Sequence, residues 1–166
     1  MPASILRRIR SKQRDDEGAI QMDGEPQFGE ALPGRNYIER PGAYALVLRD
    51  GSVLVVATPS GYFLPGGGVD AGESLEDALA RELQEEAGLS VSRMTALGTA
   101  RQYVIDAETD VAYNKLEHFF IVSAEPTPFA PAESDHVVHW VAVDDALASL
   151  REPAQAWAVA LAFSEA

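Results

Sequence analysis

The order of segments along the 166-residue chain predicts an α/β fold: a central mixed β-sheet with helices on its faces. Three observations carry this expectation. β-Rich segments recur near 43–48, 53–57, 91–105, 113–123 and 136–143. A run of good helix formers, 75–87, interrupts them. Two further helical stretches, 144–150 and 153–163, close the chain.

Residues 1–38 have weak periodicity, with Gly, Pro and acids spread through 16–36. They read as an N-terminal extension, a basic arm followed by an irregular segment with one short helix or strand at most, ahead of a domain at 39–166. Ala43 to Leu48 and Val53 to Ala57 flank Asp50-Gly51, a hairpin turn pair. Gly61 to Gly72 reads as a loop. Ser74 followed by Asp77 is a capping pattern, so a helix is expected from Leu75 to Ala87, with Gly88 as its left-handed stop. Asp106 to Asp110 reads as a turn between strands. Pro153 suits a first helical turn. No internal repeat or low-complexity run is visible.

The helix at 75–87 carries an anomaly. At about 100° per residue, Leu75, Ala78, Leu79 and Leu83 form one apolar stripe. Glu82 and Glu86 project into the middle of that stripe and Glu85 lies at its edge, so these acids point toward the packed side. Neighbours three and four apart are close, and two like charges about 6 Å apart at an effective dielectric of about 20 repel by roughly 3 kcal/mol. The negative helix C-terminus adds to the penalty. A hard divalent cation, Mg²⁺ or Mn²⁺, would reverse these signs. The plainer alternative is a solvated acidic face, which suits Glu76 but not the apolar placement of Glu82 and Glu86.

The segment Gly67 to Leu89 resembles the Nudix box, G-x5-E-x7-R-E-U-x-E-E-x-G-U with U aliphatic. All nine fixed positions match: Gly67, Glu73, Arg81, Glu82, Leu83, Glu85, Glu86, Gly88 and Leu89. The preceding Tyr62-Phe63-Leu64-Pro65-Gly66-Gly67 is similar to the family's approach to the box, with Tyr62 where Trp is frequent. A looser resemblance extends over about 40–164. It implies a MutT-like Nudix fold, an α/β/α sandwich, and metal-dependent cleavage of a nucleoside diphosphate linked to another group. It implies Glu82, Glu85 and Glu86 as ligands of Mg²⁺ or Mn²⁺, with the backbone carbonyl of Gly67, and a Glu73–Arg81 pair holding loop to helix. Glu82 is the favoured general base. Glu108, Glu117 and Glu133 are alternatives from later in the chain, Glu133 preceding an acidic-then-Trp strand, Asp135 to Trp140. Tyr62, Tyr103, Glu117 and Glu133 are the substrate candidates.

The net charge of −13 argues against long nucleic acid as a partner. No apolar run is long enough to span a bilayer, and the absence of cysteine removes disulfides and thiolate metal sites; a cytoplasmic location is expected. Arg7, Arg8, Arg10, Lys12 and Arg14 form a basic arm, either a solubilising tail or a segment docking on the acidic body or on a partner subunit, and a homodimer is left open. His118, His136 and His139 are expected to pack or to lie on the surface rather than bind metal; 136 and 139 face opposite sides of a strand. Of Tyr103, Phe119, Phe120, Trp140 and Trp157, one or two at most are expected to line a pocket. Two function classes remain, a hydrolase of nucleotide diphosphate derivatives and a Nudix-fold binding or regulatory module without turnover. The intact box favours the first. Nucleoside triphosphates, dinucleoside polyphosphates and nucleotide sugars all fit, and no secondary motif selects among them.

Overall fold

The computed structural model describes residues 25–128 and 136–164. The basic arm and Glu133 lie outside them. The elements in order are β1 (Gln27–Phe28), β2 (Ile38–Leu46), β3 (Leu48–Arg49), β4 (Ser52–Thr58), β5 (Gly61–Phe63), β6 (Gly66–Gly68), α1 (Leu75–Ala87), β7 (Leu89–Ile105), β8 (Ala112–Pro126), β9 (Val137–Ala142), α2 (Val143–Ser149) and α3 (Pro153–Ser164).

The larger sheet has five strands in the order β1-β7-β8-β2-β6. It is mixed: β1 runs parallel to β7 and β2 parallel to β8, while β7–β8 and β2–β6 are antiparallel. Strand alternation sends Ala43, Ala45 and Val47 to one face, where with Phe120 and Val122 they pack on Leu79 and Leu83 of α1. Leu79 and Leu83 are fully buried, each contributing about 1.5–3 kcal/mol. Tyr44, Leu46 and Phe119 point to the other face and pack on α3 through Trp157 and its neighbours. Helices thus cover both faces, as expected. A smaller sheet places β4 between β3, β5 and β9. Among the described residues, no helix is long and apolar enough to cross a membrane.

Three segments differ from the sequence reading. The Asp50-Gly51 turn is present, with φ of 49° and 75°, but only Leu48 and Arg49 pair with β4 in its hairpin. Ala43 to Leu46 belongs to the larger sheet, because its backbone is occupied by β8 along one edge and by β6 over Ala43 and Tyr44 on the other. The chain changes sheets at Val47, whose carbonyl accepts from Leu54 N. The loop from Gly61 to Gly72 contains two short strands, β5 and β6. Finally, the extension contributes β1: Phe28 stacks obliquely on Trp157 at 6.3 Å, so this part of the extension packs on the core.

Candidate active site

The box is built by local capping. Ser74 Oγ accepts from Asp77 N at 3.1 Å, starting α1. Gly88, at φ 63°, ends it by donating to Gln84 O at 3.1 Å. The loop ahead of the helix is tied to it by a bidentate pair: Arg81 donates from Nε to Glu73 Oε1 at 2.9 Å and from Nη2 to Glu73 Oε2 at 3.0 Å. This bond, together with the Asp70 N–H, holds the Glu73 carboxyl below its usual range. Arg81 also reaches Glu82 Oε1 at 2.8 Å, Glu85 Oε2 at 3.3 Å and the Gly68 carbonyl at 3.3 Å. Hydrogen bonds to Glu73 first and Glu82 second raise its pKa further, so it stays charged. The repulsion expected among the acids is therefore already offset by one shared guanidinium.

The helix places the acids as its periodicity requires. The side chains of Glu82 and Glu86 are 14% and 10% exposed, and that of Glu85 is 38% exposed. Glu86 Oε2 accepts from Gly66 N at 2.9 Å. Its Oε1 lies 3.4 Å from His136 Nδ1, so His136 belongs to the site although the strand pattern alone suggested a bystander. A Cβ added at Gly67 would stand 2.6 Å from Glu82 Oε1. The bare glycine is what lets the Glu82 carboxylate rest against β6. Carboxylates on one side of α1, two of them largely buried, against a strand without side chains form a donor set that fits a hard divalent cation. Among the described residues no three acidic or histidine side chains converge on one point as they stand, since Arg81 and Gly66 N each hold carboxylate oxygens. Those carboxylates would have to turn from these partners to share an ion.

A pocket of about 140 Å³ adjoins Glu86, walled by Tyr44, Phe63 and Leu64, with Lys115, Glu152 and Gln155 as its polar lining. Gln155, fully buried, accepts from Leu64 N at 2.6 Å and so fixes the Leu-Pro-Gly-Gly approach to the box. Lys115 Nζ is 2.7 Å from Glu152 Oε2 and 2.8 Å from Glu117 Oε1, and lies 5.0 Å from the Tyr44 ring centre. Burial pushes the Glu117 carboxyl up to about 8, against the opposing pull of Lys115. For Lys115 burial acts downward but is outweighed by Tyr44, Glu117 and Glu152, and the ammonium is retained.

The structure brings Gly67, Glu73, Arg81, Glu82, Glu85 and Glu86 together in one constellation. Tyr62, on β5, stands at the half-exposed end of the neighbouring sheet, edge-on to His139 at 6.1 Å. Tyr103 is elsewhere: it lies on β7, separated from β6 by β8 and β2, and packs edge-on against Tyr37 at 4.7 Å. Glu108 is exposed in the β7–β8 turn, its N–H capped by Asp106 Oδ1. Glu117 is not a surface acid but a fully buried one, because β8 is an interior strand. Sequence reasoning passed over Tyr44, Lys115, Glu152 and Gln155. The visible signal was Gln155, a lone polar residue inside the apolar run of α3.

The NUDIX domain family profile matches residues 39–161. Nudix hydrolase 6 of Arabidopsis thaliana is 28% identical over 116 residues, 63% of this chain and 38% of that protein, so the chain spans well under half the length of this relative. The crystal structure of a MutT NUDIX hydrolase from Burkholderia pseudomallei superposes with a TM-score of 0.58 at 28% identity, covering 75% of this chain and 98% of that one. A NUDIX hydrolase from Nitrosomonas europaea shares the fold at 21% identity, with a TM-score of 0.61 over 77% of this chain and 90% of its own. With its complete box folded as one loop–helix unit and the family profile covering most of its length, the chain belongs to the Nudix family.

Proposed function

We propose that the protein is a metal-dependent pyrophosphohydrolase that cleaves the phosphoric anhydride of a nucleoside diphosphate joined to another group. One observation carries the reading: Glu82 and Glu86 of α1 meet the glycine strand β6, Glu85 joins them through Arg81, and Glu86 is shared between that cluster and the pocket. Glu82, Glu85 and Glu86, with the Gly67 carbonyl, would hold Mg²⁺ or Mn²⁺. The ion would supply charge neutralisation of the phosphates and a water acidic enough to attack near neutral pH.

The chain's own residues do the rest. Arg81 holds the carboxylates in register and ties them through Glu73 to the loop. Glu82, resting on Gly67, is the residue assigned to take the proton from the attacking water. Gln155 fixes the loop backbone at Leu64, and the pocket between Tyr44 and Phe63 receives the group attached to the diphosphate. The names of the relatives, Nudix hydrolase and MutT, are in keeping with this activity. The test is a panel of nucleoside triphosphates, dinucleoside polyphosphates and nucleotide sugars with Mg²⁺ and Mn²⁺, reading phosphate and pyrophosphate release separately. Turnover should vanish with a chelator and return with either ion. Glu85→Gln and Glu86→Gln should each lose at least about a hundredfold while remaining folded. Full activity without a divalent ion, or in both variants, would overturn the mechanism.

A further inference from the structure

An enzyme with a net charge of −13 that acts on polyphosphate anions needs a local cation to receive them. Most cations around the site are already engaged. Arg81 is shared among box carboxylates, and Lys115 is held by Glu117 and Glu152. Arg40 is different. It is exposed, and among the described residues no carboxylate forms a direct ion pair with it; Asp106, at the β7–β8 turn, is attracted to it only through space. Its guanidinium is propped over the Tyr113 ring at 5.2 Å.

Its place relative to β6 is specific. Successive residues of a strand face opposite sides. Gly67 faces α1, where a Cβ would meet Glu82. Gly68 faces the other side, where a Cβ would stand 3.1 Å from both Arg40 Nε and Nη2. Arg40 is the register partner of Lys115, a pocket residue, across the β2–β8 pair. The guanidinium therefore lies across the bare backbone of Gly68, on the pocket face of the sheet, while the box glutamates approach the same edge strand from the other face.

Building on the proposed function, we infer that Arg40 is a phosphate-receiving residue: it binds the diphosphate of the substrate from the pocket side of the glycine strand. The planar guanidinium presents a fork of donors to phosphate oxygens, and the absence of a side chain at 68 keeps that fork against the strand. Arg81 stays committed even when the box acids turn to an ion, through its bidentate bond to Glu73 and its bond to the Gly68 carbonyl.

The test uses the full chain and inorganic pyrophosphate as the probe, with binding measured by calorimetry in the presence of Mg²⁺. Arg40→Ala should weaken pyrophosphate binding by about tenfold or more, as expected for loss of a charge-assisted pair, with Arg40→Lys intermediate. Gly68→Ala keeps the charge but displaces the guanidinium, and should also weaken binding. Mn²⁺ affinity and melting temperature should stay at wild-type values in the Arg40 variants, and KM for a turned-over nucleotide should rise with little change in kcat. Pyrophosphate affinity within twofold of wild type in Arg40→Ala overturns the inference. So does a parallel loss of Mn²⁺ affinity, or a wild-type protein that does not bind pyrophosphate with Mg²⁺. Loss of pyrophosphate binding in Arg40→Ala alongside a wild type that hydrolyses none of the panel would reject the hydrolase reading and keep the Arg40 site.

Discussion

Gly66 and Gly67 are adjacent, yet adding one methyl to each should have opposite consequences. Gly66 has φ 140°, a region that L side chains rarely adopt, and its Cβ would run into the Ala43 carbonyl and the Tyr44 Cα. These are backbone atoms in the middle of a sheet and cannot move aside. Strain of about 1–3 kcal/mol from the dihedral and a similar amount from overpacking give a cost of about 2–6 kcal/mol for Gly66→Ala. Gly67 has no such φ, and the atoms its Cβ would meet belong to the Glu82 carboxylate, at 2.6 Å and beyond. A carboxylate at the end of a flexible side chain swings away at small cost. Lower entropy of the unfolded chain offsets part of that cost, and Gly67→Ala should lie within about 1 kcal/mol of wild type.

On the proposed function, however, the displaced carboxylate is one that would hold the ion. A shift of Glu82 by about 1 Å breaks its 2.8 Å bond to Arg81 and removes it from the positions of Glu85 and Glu86, and a misplacement of that size costs about a hundredfold in rate. Urea unfolding, Mn²⁺ titration and turnover on the two variants separate the effects. Gly66→Ala should fail in the first, whereas Gly67→Ala should pass the first and fail the other two. A Gly67→Ala protein with wild-type Mn²⁺ affinity and turnover would show that Glu82 does not work from the place β6 gives it. A Gly66→Ala protein as stable as wild type would refute the packing argument.

Two other predictions concern the body of the protein. Burial raises the Glu117 pKa from an ordinary 4.5 to about 8, so the folded state binds a proton that the unfolded state has lost over that interval. Its contribution is complete below about pH 4.5 and is lost as pH rises through 8, giving a slope of up to about 1.4 kcal/mol per pH unit that Glu117→Gln should flatten in denaturant unfolding; an unchanged slope would place the proton elsewhere. Because β1 pairs with β7 and Phe28 packs on Trp157, a chain beginning at Asn36 should be less stable than one beginning at Glu25 by about 2 kcal/mol or more, and equal melting of the two would show that β1 is dispensable.

What the sequence made legible is what lies close together along the chain. The box helix, its Ser74 cap, its Gly88 stop and the inward aim of Glu82 and Glu86 all follow from spacings of three and four residues, and the Glu73–Arg81 pair spans a single loop and two turns of helix. Non-local pairing was not legible. Ala43 to Leu46 and Val53 to Ala57 have the composition of a hairpin, but nothing in that composition says that two other strands compete for the first of them. The Lys115–Glu117–Glu152–Gln155 group is assembled from β8 and the start of α3, elements whose approach depends on the whole sheet. His136 lies fifty residues beyond Glu86 and reaches it from just ahead of β9, which is paired with β4 in the second sheet.

The glycine strand shows why the two kinds of information meet at the site. In the sequence Gly66-Gly67-Gly68 signals only a loop, since three glycines in a row favour no ordered state. In the fold each lacks a side chain for a different reason. Gly66 allows backbone to approach backbone at Tyr44, Gly67 makes room for the Glu82 carboxylate, and Gly68 makes room for the Arg40 guanidinium. The strand is ordered from outside, by pairing with β2, by the bond from Gly66 N to Glu86 and by the bond from Arg81 to the Gly68 carbonyl. Carboxylates on one face and a guanidinium on the other thus come within reach of one stretch of bare main chain at the edge of the sheet. On the proposed function, a polyphosphate laid along that edge would meet the guanidinium directly and the carboxylates through the ion they would hold, without crossing the core. This is the geometric reason to test for the anhydride at β6 rather than deeper in the pocket.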